Sequence, residues 1–348
     1  MNHQRLLIFV LLLCLSTAVV PVSAQTAEPT SCPSGSILFQ SDVLATDPVC
    51  IPEHPQRIAA VDTFTLETLL ALGIQPVAGP FLQTFLRDHA EYKDQLANAT
   101  DIEWPVDPEA IVASHPDLII SIQPWIKDIA GDVAKIAPTV SLTYAGDDHW
   151  QDIALAVGSA VNQEDAINNA LAAYAARLKA FQDWTAKNPV GDVGVVFLLP
   201  DSIAPFMGDT FGGSIVNAAG LKFPQALVDA TADGTLTDIS KERLDLLQTS
   251  DYIFVVTSGF TDADLATYKQ LEATLAADPL WQALPAVKAK HVSIVGRDWL
   301  GSSLIAANHV VDDLFTDIAG VDPATVSPDP YLPAQATPEA TAAATAAS

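Results

Sequence analysis

The stretch "HPQRIAAVDTFTLETLLALGIQPVAG", residues 54–79, contains one repeat of an alternating α/β chain. Pro55 fixes the entry, "IAAV" is a short apolar run suited to a buried strand, and "TFTLETLLALG" carries apolar residues at helical spacing before a glycine stop. "QPVAG" then opens a second strand. Further runs rich in β-branched and apolar residues follow at 118–122, 139–143, 193–199, 252–257 and 291–295, with helical patterns between most of them. Strands that alternate with helices build parallel sheets, and uninterrupted apolar strands such as "DLIISI" suit a sheet covered on both faces. The expected fold class is α/β, with two Rossmann-like lobes, because the chain is longer than a single core usually holds.

The alternation breaks once. After "YAGDDHW" a helical pattern runs over 153–160, and a longer one follows, with Glu164 and Asp165 placed to complement its positive end. Ile167, Leu171, Tyr174, Leu178 and Phe181 then repeat at three and four. A helix over 163–186 would span about 36 Å at 1.5 Å per residue, long enough to join two lobes. The expected organisation is therefore a leader over 1–24, a linker and ribbon over 25–50, an N-terminal lobe over 51–148, connecting helices over 149–187, a C-terminal lobe over 188–326 and a tail over 327–348. The tail, "SPDPYLPAQATPEATAAATAAS" in its full extent, lacks core-forming residues and reads as disordered.

The amino terminus has a basic residue, Arg5, an apolar run and a small-residue "VSA" cleavage pattern, which together read as a secretory signal. Leu13 stands where a lipoprotein signal needs a small residue before Cys14, so a lipid anchor is not expected. Export leaves Cys32 and Cys50 in a compartment where a disulfide persists, and a bridge would pin the segment between them at about 3 kcal/mol. The formal net charge is −26 with 16 Lys and Arg, which argues against nucleic-acid binding and requires any anionic ligand to be held by a few local cations.

No GxSxG, HExxH, Walker-type or GxGxxG motif is present, so the sequence gives no positive signal for an enzyme. "FGGSIVNAAG", at 211–220, offers backbone N–H groups to an anion or is a tight turn and cap. His54, His89, His115, His149, His291 and His309 lie far apart, and none forms an i, i+4 metal pair, so no metal site is expected. Ligands of open α/β sheets sit beyond the carboxyl ends of the strands. Sorting residues by that rule selects Phe81, Phe85, Arg87, Trp125, Phe206, Arg297 and Trp299 as candidate ligand contacts, a set of rings and guanidinium groups suited to a bulky, partly anionic ligand.

Several blocks in fixed order give the chain a family likeness. "PQRIAAVDTFTLETLLALGIQPVAG", "DPEAIVASHPDLIIS", "IAPTVSL", the central helix, "FGGSIVNAAGL", "DISKERLDLLQTSDYIFVVT" and "LAADPLWQALPAVKAKHVSIV" resemble the iron-siderophore and cobalamin class of substrate-binding proteins that feed ABC importers. The resemblance covers about residues 50–320. It implies two lobes joined by a rigid helix, with a ferric-siderophore complex held between them and no resident cofactor. Cobalamin, haem and a bare metal ion are the alternative ligands, and a secreted hydrolase using Asp147, Asp148 or His149 is a more remote reading. The implied partners are an ABC permease dimer with its ATPase subunits, met by a monomer at the outer face of the cytoplasmic membrane. Glu67 and Glu242 are expected, by the same likeness, to dock onto permease arginines. The stretch "GRDWLGSSLIAANHVVDDL" lacks the usual Gly-Gly-Pro, which leaves the identity of the chelate open.

Overall fold

The computed structural model describes residues 31–144, 149–232 and 238–326. The leader, Cys14, the acidic pair Asp147 and Asp148, and the tail lie outside the described residues. In the N-terminal half, β3 (Ile58–Ala60), β4 (Ala78–Gly79), β5 (Thr100–Asp101), β6 (Leu118–Ile122) and β7 (Thr139–Leu142) form one sheet in the order β5-β4-β3-β6-β7. All of its pairings are parallel. Ahead of it, β1 (Ser36–Phe39) and β2 (Val49–Pro52) make an antiparallel ribbon, closed by a Cys32–Cys50 disulfide whose Cα atoms are 5.6 Å apart.

The C-terminal half repeats the plan. β8 (Asp192–Leu198), β9 (Ser202–Pro205), β10 (Ile239–Ser240), β11 (Ser250–Val256) and β12 (Val292–Val295) stand in the order β10-β9-β8-β11-β12. β8, β11 and β12 are parallel, while β9 runs antiparallel to both its neighbours. In chain order each sheet reads 3-2-1-4-5, so each has a switch point, between β3 and β6 and between β8 and β11. The carboxyl ends of those strands are where a crevice forms.

The predicted long helix is Glu164–Thr185, with Glu164 and Asp165 in its first turn. Its buried face carries Ile167, Ala170, Tyr174 and Phe181, which enter the core of the C-terminal lobe. The preceding helix, Trp150–Ala160, is shared: Trp150 and Ala154 join that core, while Ile153, Ala156 and Val157 join the N-terminal core. The crossing between lobes is thus a helical hairpin whose two members each bury a full apolar face. Helix Leu304–Asp313 adds a second tie, since Ile305 packs in the N-terminal core and Leu304, Ala306 and Val310 in the C-terminal one.

The glycine-rich stretch "FGGSIVNAAG" is explained by packing. A Cβ at Gly212 would stand 2.7 Å from Trp299 and one at Gly213 would stand 1.9 Å from the Met207 carbonyl oxygen. Thr210 caps the helix, accepting from the Gly213 N–H, so the helix start closes on itself.

Candidate ligand-binding cleft

Asp62 organises the N-terminal side. It ends β3, is fully buried, and caps helix Thr63–Ala71 by accepting from the Thr65 N–H at 2.7 Å and its hydroxyl at 2.8 Å. It also accepts from the Ile122 N–H at 2.8 Å, which fastens the end of β6 to the start of the helix. Burial pushes the Asp62 pKa up, with those hydrogen bonds opposing it. The switch point is thereby fixed, and Thr63, Phe64 and Trp125 face the crevice from it.

Opposite them stand Ser258 and Phe260, beyond β11, and Arg297, Asp298, Leu300 and Gly301, beyond β12. The two rims touch. Phe81 and Phe260 have ring centroids 4.9 Å apart across the gap, while within the C-terminal rim Arg297 lies 5.0 Å over the Phe260 ring and within the N-terminal rim Trp104 and Trp125 pack edge to face at 4.7 Å. Phe81 enters at φ 54°, a left-handed conformation that costs a bulky residue about 1–3 kcal/mol and points to a local constraint. Polar contacts also cross the gap: Thr84 Oγ1 donates to Phe260 O at 2.8 Å, Arg87 Nη2 to Gly259 O at 2.9 Å and Arg297 Nη2 to Asp88 Oδ2 at 2.8 Å. With the rims in contact, the remaining cavity volume is about 90 Å³, below the roughly 300–1,000 Å³ of ordinary small-molecule sites.

The floor is ionic. His89, nearly buried, has Nε2 3.2 Å from Asp298 Oδ1, and His309 Nδ1 is 2.8 Å from Asp298 Oδ2. Burial opposes charge on His89, but the Asp298 carboxylate outweighs it and holds the imidazole above its usual pKa. Burial would likewise raise Asp298, yet the hydrogen bonds from His309 and His89 keep it well below the usual carboxylate range. Glu67 is raised by burial, with His89 and the hydroxyl of Ser303 opposing that rise.

Of the predicted contacts, Phe81, Phe85, Trp125 and Arg297 line this crevice. Arg87 is at its edge, tied to Asp88 and Gly259. Two expectations are corrected. Trp299 is fully buried in the C-terminal core, stacked on Phe254 at 4.6 Å with its Nε1 donating to Asp313. Phe206 packs on Phe197 and is not among the residues that line this cavity. The ligand contacts expected from the sequence do not include His89, Phe260 or Asp298. Phe260, four residues past β11, obeys the strand-exit rule and could have been found that way. Asp298, three residues past β12, obeys it as well, whereas His89 carries no such signal, because its role depends on a contact across the lobes.

Glu67 is corrected too. It faces the crevice and accepts from the Ser303 hydroxyl, so it is not an outward-facing carboxylate. By the repeated sheet order, the N-terminal position equivalent to Glu242 is held by Glu109. Helix Pro108–Ala113 leads into β6 as the 3-10 turn Lys241–Leu247 leads into β11. Glu109 and Glu242 both occupy the first turn, both are exposed, and their N–H groups bond to Asp107 Oδ1 and Ser240 Oγ.

Comparison with known proteins agrees with this architecture. The chain is 30% identical over 283 residues to the probable siderophore-binding lipoprotein YfiY of Bacillus subtilis (strain 168), covering 76% of this chain and 83% of that protein. It is 26% identical over 323 residues to the putative ABC transporter substrate-binding lipoprotein YhfQ of the same organism, covering 89% and 97%. Both are named as lipoproteins, which runs against the expectation of an unanchored chain. Among solved structures, the siderophore periplasmic binding protein from the fuscachelin gene cluster of Thermobifida fusca aligns with a TM-score of 0.61 at 27% identity, covering 78% of this chain and 99% of that one. Staphylococcus aureus SirA complexed with staphyloferrin B aligns at 0.66 and 24% identity, covering 82% and 98%, and shares the fold. A model described as periplasmic binding protein matches residues 58–298, and the chain belongs to that family.

Proposed function

We propose that the protein captures a ferric-siderophore complex outside the cytoplasmic membrane and delivers it, chemically unaltered, to an ABC permease driven by its ATPase subunits. The observation that carries this reading is the convergence of Phe81, Trp125, Phe260 and Arg297 at the facing carboxyl ends of two sheets. Rings supply stacking area, and the guanidinium supplies a charge-assisted fork for carboxylate or catecholate oxygens. The names of YfiY and of the Thermobifida fusca protein support the same ligand class. A chelate enters by parting Phe81 from Phe260 and by replacing Asp88 as the partner of Arg297. This local cation matters because the protein as a whole repels anions.

Glu109 and Glu242 serve as the docking pair, one on each lobe, paired with permease arginines while the protein acts as a monomer. Trp104 and Trp125 report ligand through fluorescence quenching. In titrations with a ferric siderophore, Arg297→Ala and Phe260→Ala together should weaken binding at least about tenfold. Unchanged affinity would remove the cleft from the site. Glu109→Ala with Glu242→Ala should keep chelate affinity and abolish uptake through reconstituted permease.

A further inference from the structure

The charges around the crevice limit the charge of what it can hold. Among the described residues that line it, Arg297 is the one Lys or Arg, and Arg87 stands at the edge. The internal segments outside the described residues, 145–148 and 233–237, contain Asp but no Lys, Arg or His. Both guanidinium groups lean on one carboxylate: Arg87 Nε donates to Asp88 Oδ1 at 2.9 Å and Arg297 Nη2 to Asp88 Oδ2 at 2.8 Å. At most one positive charge is left over at the rim. Deeper, His89 and His309 both meet the Asp298 carboxylate, at 3.2 and 2.8 Å, and Glu67 adds a second carboxyl group. We propose that the crevice selects ferric chelates carrying no more than one negative charge and rejects trianionic ones. The limit rests on the chelate reading above and narrows it to low-charge complexes, such as a tris-hydroxamate or a chelate with a single free carboxylate.

An anion withdrawn from water is tolerated only where local charge compensates it. A chelate with one anionic group takes the place of Asp88 on Arg297, so one acceptor replaces another and the charge at the rim stays balanced. A trianion brings two further charges that no cation lining the crevice is left to match, and it faces the carboxyl groups of Asp298 and Glu67 below. The remaining walls act in the same direction. Phe81, Trp125 and Phe260 present rings, whose faces are electron-rich and favour neutral or cationic surfaces over anionic ones. At longer range, the formal net charge of −26 opposes the approach of a trianion, and salt screens that repulsion.

The test is tryptophan-quenching titration of the full-length secreted protein with three hexadentate ferric chelates: a neutral tris-hydroxamate, the same chelate bearing one free carboxylate, and a trianionic tris-catecholate. The first two should bind at least about tenfold tighter than the third at about 0.15 M salt, and the gap should narrow at about 1 M. Asp88→Asn should tighten the trianion by a larger factor than the neutral chelate, because it leaves both guanidinium groups of the rim unmatched. Arg297→Gln should weaken the monoanion more than the neutral chelate. The charge limit is overturned if the wild type binds the trianion as tightly as the neutral chelate to within about twofold, or tighter, a comparison that needs no variant to fold. It is overturned equally if Asp88→Asn shifts the affinities for trianion and neutral chelate by the same factor. Should none of the three chelates bind, the siderophore reading itself falls and the charge limit with it, an outcome distinct from tight binding of the trianion.

Discussion

Asp313 shows how far one side chain's environment departs from what its letter suggests. It accepts from Trp299 Nε1 at 2.7 Å, and burial pushes its pKa from 3.8 up to about 6, with Asp317 and Asp298 adding to the rise against the Trp299 bond. The folded state therefore holds the proton more tightly than the unfolded chain. The resulting stability is fully present below the unfolded pKa and is lost as the pH rises through about 6. The difference is worth up to about 3 kcal/mol. Asp313→Asn keeps an acceptor for Trp299 without the ionisation. It should melt higher than the wild type at pH 7.5 and lose the wild type's decline between pH 4 and 7, as read by thermal denaturation across that range.

Among elements, the long helix Glu164–Thr185 carries the most consequential polar contact. Arg177 is 2% exposed on its inner face, where its guanidinium donates to Asn308 Oδ1 and pairs with Asp312 of helix Leu304–Asp313. A guanidinium withdrawn from water is tolerable only with such partners, and removing it takes a charged donor from Asn308 Oδ1 and Asp312. Arg177→Ala should destabilise by about 3–5 kcal/mol in urea denaturation, whereas Arg177→Met, which refills the volume, should cost less. The ribbon β1–β2 is a smaller unit, and Cys32→Ser with Cys50→Ser should lose about 3 kcal/mol by removing the closed loop. The helix was legible because its apolar residues recur at regular spacing. The two-residue strands β4, β5 and β10 fall below the length at which a pattern exists, and β9 is recruited only by hydrogen bonding to β8 and β10.

For the whole molecule, the lobes meet through exposed polar contacts at the crevice mouth and through shared apolar helices at its base. Exposed ion pairs such as Arg297 with Asp88 contribute about 0–1 kcal/mol, while the base buries whole side chains. Opening should therefore occur at the mouth with the base intact. Asp88→Ala together with Thr84→Val removes two of the cross-rim ties. It should leave the melting temperature almost unchanged and accelerate chelate association in stopped-flow quenching; an unchanged association rate would mean that the rim contacts do not gate entry.

Local order in the chain determined the repeating strand and helix units, the long helix and the strand exits at which Phe81, Trp125 and Arg297 stand. Those features follow from spacing and side-chain shape over a few residues, so they can be read without coordinates. The tertiary structure alone decided that Trp299 turns inward, that Glu67 faces the crevice, and that His89 and His309 stack across the lobes. The side of a strand exit that faces a partner lobe is set by the packing of two distant sheets, and no short stretch of sequence carries that information.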